Sequence, residues 1–291
     1  MIYDYSISGL HIRCCLPYPL MISRESEDFI ADLQNHRPDF LVSVELVDEI
    51  SFCYDNPKGF DVWTCADDQG WHAYHKVPLD ERYYGHIFWN KQNPELVKIE
   101  FLDQQKHYLE NTQNLLNLLT LEAILLQAKT LLLHSSFIQV GEKGILFSAP
   151  SGTGKSTQAA LWQQYRQADI VNGDRAALRC DDGIWTAWGL PYAGTSGIYR
   201  NLSAPVGAVV ALRQGKTNAI RRLRPAEAIR YLYPELTLHR WESVSVDKAM
   251  NLLTELVCAV PVYLLECRPD EEALCLLERT LKEEILAKKN A

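Results

Sequence analysis

The residues best suited to do chemistry are gathered between Ile145 and Thr157. The apolar run Ile145-Leu146-Phe147-Ser148 leads into Ala149-Pro150-Ser151-Gly152-Thr153-Gly154-Lys155-Ser156-Thr157. An apolar strand, a glycine-containing loop and then a helix is the order that a triphosphate requires. Gly152 and Gly154 let the backbone curl so that its N–H groups converge, and a helix beginning near Lys155 aims its positive end at the same point. The Lys155 ammonium adds a point charge for the β- and γ-phosphates, and the Ser156 hydroxyl can ligate a magnesium ion, Mg2+. The phosphate-loop pattern Gly-x-x-x-x-Gly-Lys-Ser/Thr is met except at its first position, where Ala149 stands. The competing explanation is a plain strand-to-helix turn rich in small residues. The strand before the loop and the amphipathic run Ala159, Ala160 and Trp162 after it favour nucleotide binding by residues 149–157.

Phosphoryl transfer to a hydroxyl also needs a carboxylate that orients or deprotonates the nucleophile. In Ala168-Asp169-Ile170-Val171-Asn172-Gly173-Asp174-Arg175, Asp174 follows a short apolar strand. The carboxyl ends of neighbouring α/β strands line one crevice, so Asp174 is expected to face Lys155 and Ser156 and to share the metal with Ser156. The alternative is that Gly173-Asp174 only turns the chain between two strands. His134 follows Leu131 to Leu133 and precedes the expected strand from Phe137 to Val140. A lone histidine beside an apolar run is more often a satisfied core residue than a catalyst. The segment from Gly189 to Asn201 holds three glycines, two hydroxyls and an arginine. It reads either as an ordinary connection or as a substrate loop, with Thr195, Ser196 and Arg200 as its candidate contacts.

Other groupings carry less. His72, His75 and Cys65 invite a metal reading, but positions i and i+3 of a strand face opposite sides and no Cys-x-x-Cys partner is present, so zinc is rejected. Neither thiol nor Ser-His-Asp chemistry is supported by any spacing.

Positioning these residues calls for a particular arrangement of elements. Up to about Phe101 the apolar pattern has period two, as in Leu10, Ile12, Cys14 and in Val42, Val44, Leu46, which predicts half-buried antiparallel strands. Val62–Ala66 and Trp71–His75 flank the polar turn Asp67-Asp68-Gln69-Gly70, and one short helix is expected over Glu25–Asn35. Asn111 or Thr112 caps a buried helical run through Leu126 that passes into a core strand. Strands and helices then alternate to a final helix from about Asp270. The chain thus reads as a β-rich region, 1–110, suited to substrate or partner binding, and a nucleotide-binding region, 111–291.

Composition narrows the partners. Lys and Arg total 29 against 37 Asp and Glu, a net charge of −8, whereas phosphate neutralisation would call for a basic chain, so nucleic acid is not expected. The most apolar stretch, Leu115–Leu133, carries Asn117, Glu122, Gln127 and Lys129, which argues against a membrane span. The absence of a signal-like N-terminus and the sparse cysteines predict the reducing cytoplasm.

His134-Ser135-Ser136, a strand hairpin, Ser151-Gly152-Thr153-Gly154-Lys155-Ser156 and Asn172-Gly173-Asp174 together resemble the catalytic domain of HPr kinase/phosphorylase and its kinase-like relatives. That fold is similar to the nucleotide core of phosphoenolpyruvate carboxykinase. The resemblance spans residues 112 to 280 or so and implies an α/β, mixed-sheet P-loop kinase core with a β-rich N-terminal region. It further implies that loop 149–157 holds ATP and magnesium, that Asp174 is base toward a hydroxyl, and that His134 sits close to the phosphate. Thr157 stands where HPr kinases carry an acidic residue, Gly173 where they usually have a first aspartate, and Ser135 where they have glycine. These departures imply a relative, among which are kinases that phosphorylate a serine of a ribosomally made peptide such as a lasso peptide. The expected activity is ATP-dependent transfer of the γ-phosphoryl group to a hydroxyl of a peptide, protein or small molecule, and a homo-oligomer is compatible with it. The alternative is a nucleotide-dependent binding module without transfer, which needs the phosphate clamp but not Asp174.

Overall fold

The computed structural model describes residues 1–33, 35–52, 62–76, 82–192, 194–238, 240 and 243–289, with 284–289 as backbone only. The chain divides into two units, Met1–Leu121 and Glu122–Ala291.

The first unit is built on a seven-stranded sheet. Its elements are β1 (Ile2–Ile7), β2 (Leu10–Cys15), the short α1 (Arg24–Glu27), β3 (Phe40–Val47), β4 (Val62–Ala66), β5 (Gly70–Lys76), β6 (Tyr83–Asn90), β7 (Leu96–Leu102) and α2 (Thr112–Leu118). The strands lie in the order β1-β2-β3-β7-β6-β5-β4. The period-two pattern is realised, with Ile12, Cys14, Val42, Val44, Val97 and Ile99 all buried. The β4–β5 hairpin forms around Asp67, whose Oδ1 accepts from the Gln69 and Gly70 amides at 2.8 Å each.

Three expectations for this unit are corrected. The strands are not all antiparallel, because β2 pairs β3 and β3 pairs β7 in parallel. Alternation records which face is buried and is silent on the direction of the neighbour. The helix expected over Glu25–Asn35 ends at Glu27, because the edge of β1 captures the chain: Ile30 bridges to Tyr5, and the Ala31 amide donates to the Asp4 carbonyl at 2.9 Å. The helical run opening at Asn111 is capped as expected, with Asn111 Oδ1 accepting from the Asn114 amide at 2.9 Å, but it is broken after Leu118, and Thr120 lies at φ +45°.

The second unit opens with α3 (Leu121–Gln127). It continues through β8 (Thr130–Val140), β9 (Lys143–Ser148), α4 (Lys155–Arg166), β10 (Asp169–Asn172), β11 (Arg175–Asp181), β12 (Ile184–Trp188), β13 (Ser203–Gln214), β14 (Ala219–Arg222), α5 (Pro225–Leu232), α6 (Ser243–Ala259), β15 (Val262–Cys267) and α7 (Glu271–Lys289). The sheet is mixed, with β9, β13 and β15 mutually parallel and the other pairings antiparallel. The pairings β8–β11–β12–β13–β9–β8 close into a circuit. This is a mixed α/β architecture.

The middles of its central strands are apolar on both faces because both faces are covered. Ile145, Phe147, Val210 and Leu265 pack with Trp162 of α4 and Leu274 and Leu277 of α7. The intervening Leu146, Val209, Ala211 and Leu264 face the other way, onto Leu232 of α5 and Leu253 and Leu256 of α6. The strand period of two thus assigns neighbours in sequence to opposite cores.

This topology fixes where loops can meet. β9 and β10 both pair antiparallel with β8, on its two sides, so they run in the same direction. Their last residues, Ser148 and Asn172, therefore open onto the same edge. His134, expected ahead of a strand, lies inside β8, opposite Arg175 and one residue before the Ser135–Ser148 pair.

Candidate functional site

The loop leaving β9 turns on two glycines in left-handed conformation, Gly152 at φ +77° and Gly154 at φ +119°. A side chain there would meet no atom within 4 Å, but the backbone conformation itself excludes ordinary residues. The Thr153 amide donates to the Pro150 carbonyl at 3.3 Å, and α4 starts directly after Gly154. Lys155 is only 7% exposed, and its ammonium donates to the Ala149 and Pro150 carbonyls at 2.7 and 3.4 Å. Burial lowers the affinity of this amine for its proton, while the Glu235 and Asp174 carboxylates act in the opposite sense. The lysine thus lies within the electrostatic reach of both acids.

Asp174 is held by its neighbour. Asn172 is fully buried, and its Nδ2 donates to the Leu190 and Tyr192 carbonyls at 2.9 and 2.8 Å. Its Oδ1 accepts from the Asp174 and Arg175 amides at 2.8 and 3.0 Å, and the Ser135 amide donates to the Asp174 carbonyl at 2.9 Å. Ser136 Oγ donates to the Gly173 carbonyl at 3.1 Å, and Ser148 Oγ donates to the His134 carbonyl at 3.0 Å. With its backbone pinned, Asp174 presents a carboxylate that is 27% exposed. Oδ1 lies 3.8 Å from His134 Nε2, and Oδ2 lies 3.3 Å from Arg175 Nε.

His134 Nδ1 lies 3.0 Å from Glu235 Oε2. An ionised carboxylate can only accept, so this contact assigns the proton to Nδ1 and turns Nε2 toward Asp174. Glu235 ends the 3-10 turn Tyr233–Glu235, and its side chain is 9% exposed. The turn is stitched to β8 by a bridge between Leu133 and Leu236 and by the Thr237 amide donating to the Leu132 carbonyl at 2.9 Å.

The expected substrate loop approaches the same acid. A Cβ on Gly194 would lie 2.7 Å from Asp174 Cβ and Cγ, and one on Gly173 would lie 2.1 Å from Ser196 Oγ. The short turn Gly194–Ser196 therefore rests on the Gly173-Asp174 backbone and on the Asp174 side chain, with Thr195 exposed. Arg200, expected to meet an anion, is paired with Asp169 at 2.8 Å. The guanidinium at Asp174 is that of Arg175, which also lies over the Tyr192 ring at 5.7 Å.

Glu235 and Arg175 are not among the candidates that the sequence offers, and Asn172 appears there only within the Asn172-Gly173-Asp174 motif. Asn-Gly-Asp is a recognisable Asx-turn signal that points to Asn172. No local pattern points to Glu235.

The loop fits an anionic phosphate group: it offers a helix start, open space around two glycines, and a buried ammonium whose partners here are backbone carbonyls. Ser156, exposed at the start of α4, and Asp174 are hard oxygen donors of the kind magnesium takes together with water and phosphate oxygens. Among the described residues, no group of three or more His, Cys, Asp and Glu side chains is arranged to hold a metal by itself, and no helix is long and apolar enough to cross a membrane. In the first unit, His72 Nδ1 lies 2.9 Å from His86 Nε2, and His72 Nε2 lies 3.2 Å from Asp67 Oδ2.

The sequence matches no protein-family model and no curated protein. A solved structure of the Hpr(Ser) kinase/phosphatase from Coxiella burnetii is similar to this chain with a TM-score of 0.34 and 12% identity, the match covering 55% of this chain and 93% of that one.

Proposed function

We propose that the chain is an ATP-dependent kinase that transfers the γ-phosphoryl group to a hydroxyl, a serine of a peptide or protein or the alcohol of a small molecule. The observation that carries this reading is a buried lysine on a glycine loop within the electrostatic reach of a backbone-pinned, part-exposed aspartate at the turn after the next strand. A phosphate clamp alone needs the first; transfer to an alcohol needs both.

The loop 149–157 and Lys155 would hold the nucleotide phosphates, with Ser156 and Asp174 on the magnesium side. The nucleotide supplies the transferable phosphoryl group, and the metal offsets its charge. Lys155 is already desolvated, so its interaction with a phosphate oxygen is stronger than it would be in water. Asp174 Oδ1 is left without a direct hydrogen bond to His134 at 3.8 Å, which leaves it able to accept a hydroxyl proton. Thr195 and Ser196 border the approach to Asp174 and are the side chains proposed to meet the acceptor.

The test is incubation of the protein with γ-labelled ATP and magnesium, with and without a serine-containing peptide library and a metabolite extract. Label should appear on an acceptor and be lost in Lys155→Ala and Asp174→Asn. Tight nucleotide binding that Lys155→Ala abolishes, with no transfer to any acceptor, would instead favour the nucleotide-dependent binding module.

A further inference from the structure

We infer that Glu235 is a positioning residue of this site, acting on Asp174 through His134; the inference rests on the kinase reading above. Nothing in the local sequence couples Glu235 to the chemistry, and it comes from a turn 101 residues away from His134. The fold nonetheless devotes several contacts to placing it. The turn is tied to β8 at the two residues before His134, through Leu133–Leu236 and through Thr237 to Leu132. From its outer side, Arg240 donates to the carbonyls of Tyr233, Pro234 and Leu236 at 3.0, 3.1 and 3.1 Å and covers the Tyr233 ring at 4.7 Å. A carboxylate 9% exposed loses solvation; its hydrogen bond is to the ring N–H of His134, and the Lys155 ammonium lies within its electrostatic reach.

The consequence lies at the far side of the imidazole. A ring held at Nδ1 cannot rotate about its two side-chain torsions, and its Nε2 stays 3.8 Å from Asp174 Oδ1. At that separation Asp174 keeps Oδ1 for an acceptor hydroxyl, with Nε2 as the neighbouring polar group. Released from Glu235, the ring is free either to shift its proton to Nε2 and donate a direct hydrogen bond to Asp174, occupying the oxygen the acceptor needs, or to swing away. Glu235 therefore sets the geometry around Asp174 without touching the reacting atoms.

Two readouts test this, one of them independent of turnover. Imidazole 15N NMR, with the His134 signals assigned by difference from His134→Ala, should show the Nδ1–H form in the wild type and lose it in Glu235→Ala; a wild-type His134 carrying its neutral proton on Nε2 overturns the inference. In kinetics, Glu235→Ala should lower kcat about tenfold to a hundredfold, well beyond the change in nucleotide Kd that follows from losing its charge near Lys155. Glu235→Gln, whose amide oxygen still accepts from Nδ1–H, should keep most of the wild-type kcat and also shows that the fold survives. In a His134→Ala background the further change Glu235→Ala should have no effect on kcat. A full-sized Glu235→Ala effect in that background, or wild-type kcat in the single variant, sinks the inference. Absence of transfer by the wild type with the Nδ1–H signal present would instead count against the kinase reading and leave the positioning geometry upheld.

Discussion

Asn172 governs Asp174 through one oxygen: its Oδ1 accepts from the Asp174 and Arg175 amides, while its Nδ2 donates to the carbonyls of Leu190 and Tyr192. A single buried amide thus joins the end of β10, the start of β11 and the chain leaving β12. The two sides of the site, the acid and the loop that rests on it, are referenced to the same side chain.

Asn172→Ala removes all four of these hydrogen bonds and leaves the backbone groups of Asp174, Arg175, Leu190 and Tyr192 without that partner. Stability should fall by about 2–4 kcal/mol, read as a lower denaturant midpoint at unchanged slope. An unchanged midpoint would mean that water replaces the side chain.

Asp174→Asn keeps the size of the side chain but removes its capacity to take a proton. Turnover should drop by at least about a hundredfold, with nucleotide affinity within about threefold of the wild type. Single-turnover kinetics with a fluorescent nucleotide separate the two, and wild-type turnover would remove Asp174 from the role of base.

Gly173 has no room for a side chain, since a Cβ would fall 2.1 Å from Ser196 Oγ and 2.5 Å from Ser196 Cβ. Gly173→Ala should dislodge the Gly194–Ser196 turn, raising the rate of limited proteolysis there and lowering turnover. Combining it with Ser196→Gly deletes the clashing atoms and should restore the wild-type rate of proteolysis. Failure of the second change to rescue the first would place the clash elsewhere.

In the first unit, Asp4 is buried between His11 and Arg13, with Nε2 and Nε at 2.6 and 2.7 Å from Oδ1. Burial raises the affinity of this carboxyl for its proton, but the Arg13 and His11 contacts outweigh it, and the group lies below the ordinary value of 3.8. A carboxylate held below its unfolded value contributes stability that is present above that value and is lost as pH falls through the folded one. Asp4→Asn should therefore lose about 3 kcal/mol at neutral pH and show a flatter acid limb below pH of about 4. Parallel acid limbs for variant and wild type would exclude Asp4 as the responsible group.

Much of the arrangement was legible in the residues themselves. The order of strand, glycine loop and helix around Lys155 is local, and so are the period-two strands, the Asn111 cap and the Asp67 turn. Each depends on backbone preferences acting within a few residues, which a sequence displays directly. The β10–β11 corner was legible as a place for Asp174, but by itself it left open whether the aspartate only turned the chain.

What the sequence alone determined is which residue types can bind phosphate and accept a proton, and roughly which elements carry them. Tertiary structure decided the rest. It selected Arg175 and not Arg200 as the guanidinium at Asp174, made two of the N-terminal pairings parallel, cut short the helix at Glu27, and brought Glu235 to His134 across 101 residues of chain. The physical reason is common to all four. Each depends on which distant segment competes successfully for a hydrogen-bonding edge or a buried polar atom, and that competition is settled only when the whole sheet has formed.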